Sequence, residues 1–73
     1  MNVEEHAERL ARNFTVSGIE GLIEHRQKQL AALDALDRML GDGGREARDD
    51  GRAVQTLHLA VARRALKLKQ EQQ

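Results

Sequence analysis

Apolar residues recur along the chain at helical spacing, in three blocks separated by short interruptions. The first block is Val3, Ala7, Leu10, Ala11 and Phe14, which fall on one helical face. Asn2 followed by Glu5 reads as a capping box, so a short helix is expected over residues 2–14. Thr15-Val16-Ser17-Gly18 then breaks the pattern with two β-branched residues and a glycine. Ser17 with Glu20 forms a second capping box and predicts a long helix over 18–40, stopped at Gly41. Its stripe is Ile19, Ile23, Leu30, Leu33 and Leu40, with Leu22 on the flank. Residues 41–44, Gly-Asp-Gly-Gly, cannot stay helical cheaply and read as a loop. The third block predicts a helix over 45–70, frayed or bent at Gly51, or else one that starts only after Asp49-Asp50-Gly51 with the Asp pair as its cap; Val54, Leu57, His58, Val61, Ala65 and Leu68 form its main stripe. Residues 71–73 read as a frayed polar tail.

So short a loop between two long helices forces them antiparallel. Aligning the stripes sets Leu40 against Ala47, Leu33 against Val54, Leu30 against Leu57 and Ile19 against Leu68. The first helix folds back over one end, with Phe14 as a core plug. The expected fold is all-α: one small domain, an antiparallel helical hairpin with a short N-terminal helix.

A lone hairpin leaves apolar positions over. Leu59, Ala62 and Leu66 form a second strip on the third helix, and Ala32, Leu36 and Met39 flank the stripe of the second. Either the first helix covers one strip, or two hairpins pack as a four-helix bundle. The second reading makes Leu36, Met39, Leu59, Ala62 and Leu66 the oligomer or partner interface. Two charges, Arg26 and Asp37, fall on the apolar stripe itself. They are either rim residues or a polar device that sets register, as buried polar groups do in coiled coils.

Composition narrows the chemistry. The 73 residues contain no Cys, Pro, Trp or Tyr, which excludes a disulfide scaffold, a zinc-thiolate site and a thiol nucleophile. No apolar run approaches the roughly 20 residues of a membrane helix. The N-terminal Val3-Glu4-Glu5 lacks the basic and apolar order of an export signal, so the expected location is cytoplasmic. His6, His25 and His58 stand on three different helices without the Glu-x-x-His spacing of bundle metal sites. Ser17 is the only serine and has a capping role to fill. Glu4, Glu5 and Glu8 suit a helix N-terminus. The glycine-rich loop lacks both the Lys-Ser/Thr of a phosphate cradle and the spaced oxygens of a calcium loop. No cofactor, metal or catalytic residue is expected, and the protein reads as a non-enzyme.

Charge is balanced overall, 12 basic against 12 acidic side chains, but it is unevenly spread. Arg63, Arg64, Lys67 and Lys69 make the end of the third helix basic. Bases there complement the helix dipole, and they also form a possible anion or nucleic-acid patch, though no stacking aromatic accompanies them. The expected function is a small protein–protein interaction module (adaptor, co-chaperone or inhibitor), homodimeric and bound to one other protein. The alternative is a nucleic-acid-binding bundle dimer that uses the basic helix. A membrane partner is not expected.

Overall fold

The computed structural model describes residues 2–72 and consists of three helices: α1, Val3–Asn13; α2, Val16–Leu40; and α3, Arg45–Glu71. Asn2 caps α1 by accepting a hydrogen bond from the Glu5 N–H at 3.2 Å, and Glu4 and Glu5 lie in its first turn. Thr15 rather than Ser17 caps α2: its hydroxyl accepts from the Gly18 N–H at 3.0 Å, so the helix begins at Val16, two residues before the expected start. The connection between α1 and α2 is therefore only Phe14-Thr15. Gly41 ends α2 with φ 60° and ψ −131°, a backbone shape that a side chain would strain. Gly44, with φ 72°, stands at the head of α3. That helix runs without interruption through Gly51, so it starts at Arg45 and not after the Asp49-Asp50-Gly51 stretch. Glu71 is still helical and Gln72 caps the end, while Gln73 of the expected tail lies outside the described residues.

α2 and α3 form the antiparallel hairpin, but in a different register and on a different face of α3 than the apolar stripes suggest. Asp37 meets Arg48, and the side chain of Leu33 lies against Gly51, not Val54. Arg26 reaches Gln55. The face of α3 turned to α2 is thus Arg48, Arg52, Gln55, Leu59, Ala62 and Leu66, at alternating spacings of four and three. Ile19, Ile23, Arg26, Leu30, Leu33 and Asp37 repeat the same rhythm on α2. The seam is a short heptad zipper, apolar at one end and polar at the other. Val54, assigned to the seam from sequence, is half exposed, and so are Leu40 and its expected partner Ala47.

α1 docks on α3, not on α2. Glu4 pairs with Arg64, and Lys69 reaches the carbonyl of Ala11, so α1 runs parallel to α3. It covers Val61, Ala65 and Leu68, the C-terminal half of the stripe read from sequence. The core gathers there: Ala7, Ala11, Ile19, Val61, Ala62 and Ala65, with Val3, Leu10, Ile23 and Leu66 against it. Four of those six buried residues are alanine, which lets the backbones approach closely. Phe14 is no plug. It is 43% exposed and lies beside Gly18 at the α1–α2 corner.

Candidate functional site

Three features of the surface and seam could carry function. The first is a cluster of charge at the bend. Arg48 is the one buried charged residue, 8% exposed among the described residues. Its Nε donates to Asp37 at 2.6 Å, while its two terminal nitrogens donate to the carbonyls of Gly43 and Gly41 at 2.5 and 2.6 Å. Arg52 donates to the other Asp37 oxygen at 2.6 Å and also reaches Asp34 and Asp49. Asp37 therefore stands between two guanidinium groups. The Arg48 hydrogen bond holds its carboxyl below the usual aspartate range, partial burial opposes this, and Arg52 adds to the lowering. This polar end of the zipper is satisfied, so it reads as a fastening and not as a catalytic carboxylate. Sequence reasoning singled out Asp37 and missed Arg48. The signal lay in its heptad spacing from Arg52 and Gln55.

The second feature is the basic end of α3. Arg64 makes a two-pronged pair with Glu4 at 2.8 and 2.9 Å, which lowers the Glu4 pKa and raises that of Arg64. Lys69 donates to the Ala11 carbonyl at 2.7 Å. Half of the expected anion patch is thereby spent on holding α1 in place. Arg63 and Lys67 point outward, one turn apart.

The third feature is exposed apolar surface. The expected partner face divides in two. Leu59 at 7% exposure and Ala62 at 2% are interior, with Leu66 half-buried beside them, because this strip is the inner face of the hairpin. They are not available to a partner in the folded chain, and that assignment is corrected. Leu36 and Met39 are exposed, Met39 at 78%, and Leu40 lies open next to them. These three sit on the last turns of α2, beyond the reach of α1.

A cleft of about 330 Å³ opens where the three helices meet, lined by His6, Leu10, Leu22, Arg26, His58, Val61 and Ala62. It exists because α1 and α2 both lean on α3 and leave a gap between themselves. His58 Nδ1 is shut off from solvent without a hydrogen-bond partner. His6 and His58 thus share one cavity, while His25 is exposed on the outside of α2. Among the described residues, no group of three or more His, Cys, Asp or Glu is placed to hold a metal ion. No helix there is long and apolar enough to cross a membrane.

No protein-family model, curated protein or solved structure matches this chain.

Proposed function

We propose that the protein is a small non-enzymatic interaction module, an adaptor, co-chaperone or inhibitor, that works through its helical faces and self-associates as a homodimeric four-helix bundle. The observation that carries this reading is the exposed cluster Leu36, Met39 and Leu40 on the half of the hairpin that α1 leaves bare. Apolar side chains grouped at one end of a helix are costly to leave in water and fit another helix or a groove. The shape supports the reading. The chain measures 46 × 23 × 15 Å and exposes 5046 Å², against about 4,500 Å² for a compact monomer of this mass. Among the described residues, Ile19 is the only larger side chain that is fully buried.

Light scattering on a Leu36→Glu/Met39→Glu variant tests it. The folded variant should have half the mass of the wild type at the same concentration. A wild type that is already monomeric, or a variant of unchanged mass, removes self-association through this face. Nucleic-acid binding is the weaker reading, since it rests on Arg63 and Lys67 as the outward cations. It requires binding to mixed duplex at low salt that is lost on Arg63→Ala/Lys67→Ala substitution.

A further inference from the structure

We propose that the three-helix cleft is a binding site for a small amphipathic carboxylate, an aliphatic or aromatic monoacid. Its apolar walls come from all three helices: Leu10 of α1, Leu22 of α2, and Val61 and Ala62 of α3. At about 330 Å³ it lies at the small end of ligand pockets, and it is ready-made because no packing closes α1 onto α2. Against these walls stands one cation, Arg26, and none of the seven lining residues is acidic. Arg26 spends a single N–H, at 3.1 Å, on Gln55, which leaves most of its guanidinium donors open to a guest. His58 lines the same cleft with His6, while its unpaired Nδ1 is shut off from solvent and does not face the open space. One apolar body and one full positive charge, with no acidic residue in the lining, match a carboxylate with a hydrocarbon tail. A phosphate carries more charge and wants more donors than one arginine and two imidazoles supply. Arg26 has a second property that fits this role. It occupies a zipper position where Leu would pack better, and its charge there is explained if the charge is used.

The test uses the full chain and three probes with one eight-carbon body: octanoate, octanol and octylammonium. Amide and methyl NMR shifts are followed at concentrations below micelle formation. Octanoate should give saturable shifts at Leu10, Leu22, His6 and His58 with an affinity of roughly millimolar order, as expected for so small a ligand in an open cleft. Octylammonium should not. Arg26→Gln should weaken octanoate about tenfold or more and leave octanol unchanged. Arg26 also bonds Gln55, so a second variant guards against misfolding. Leu22→Glu puts a carboxylate one turn before Arg26, in the favourable order for pairing, and should abolish octanoate binding by filling its place. Equal binding of all three probes, shifts centred on Leu36 and Met39, or undiminished octanoate affinity in either folded variant would each overturn the proposal. So would an absence of octanoate shifts in the wild type.

Discussion

Arg48 and the two bend glycines make separable demands at the residue scale. Replacing Arg48 by Ala leaves Asp37 and two loop carbonyls short of their donors in a half-dry site, at a cost of about 2–3 kcal/mol. Urea unfolding should show it, and Arg48→Lys should restore little, because one ammonium nitrogen cannot stand within bonding distance of acceptors that three separate guanidinium nitrogens reach. Asp37 also makes stability depend on acid. Its carboxyl titrates lower when folded than when unfolded. Its stabilising effect is therefore complete above the ordinary aspartate range and is lost as pH falls through the folded value. Glu4 acts in the same sense through Arg64, from a more exposed position. Urea midpoints should fall below roughly pH 4, and Asp37→Asn should flatten that limb. Among the glycines, Gly41→Ala forces a side chain onto a positive φ and should cost about 1–3 kcal/mol. Gly51→Ala should do the reverse and gain about 0.5–1 kcal/mol, since its new methyl would meet only Leu33 at an ordinary 3.9 Å. An unchanged Gly41→Ala midpoint would mean that the bend can relax.

Among the elements, α1 is the one held by the least. Ala7 and Ala11 with the partly buried Val3 and Leu10, the Glu4–Arg64 ion pair and one lysine–carbonyl bond attach it to α3. Ala7→Leu should overpack that contact by about 1–3 kcal/mol and speed hydrogen exchange in α1 before α2 or α3. Uniform exchange across all three helices would show that α1 is integral to the hairpin. The same packing explains what could and could not be read from the chain. The three helices and the four-residue bend were legible because apolar periodicity and the glycines of the bend agree, and Asn2 marks the start of α1, whereas the cap read at Ser17 placed the start of α2 two residues late. The inner face of α3 was not, because half of its zipper positions are Arg48, Arg52 and Gln55. A ranking by hydrophobicity chose Val54, Leu57 and Val61, which flank the seam and in part serve α1. Heptad spacing counted without regard to polarity would have found the right face. Phe14 misled in a similar way: as the one aromatic it was given to the core, yet the tight Phe14-Thr15 corner turns it outward. The cleft was invisible for a different reason. It depends on α1 leaning on α3 without closing on α2, which no local pattern specifies.

Taken as a whole, the molecule is a rod with its core at one end. The radius of gyration is 14.3 Å, where a compact chain of this length would have about 11 Å. Apolar packing concentrates around Ile19, Val61 and Ala65, and ion pairs hold the far end. If the bare face of α2 meets a second copy, the melting temperature must rise with protein concentration by mass action. A hundredfold dilution should then lower it by several degrees, whereas a constant value would point to a stable single chain. The guanidinium across the bend has a consequence for engineering. It draws in carbonyls from both ends of the turn, so the connection has a set span. One residue inserted after Asp42 adds only a trivial entropic penalty by chain-length arithmetic. It would nonetheless spread those oxygens beyond the grasp of a single side chain. The hairpin should then tolerate changes of loop composition far better than changes of loop length, and a lengthened version should let its two arms slip past each other.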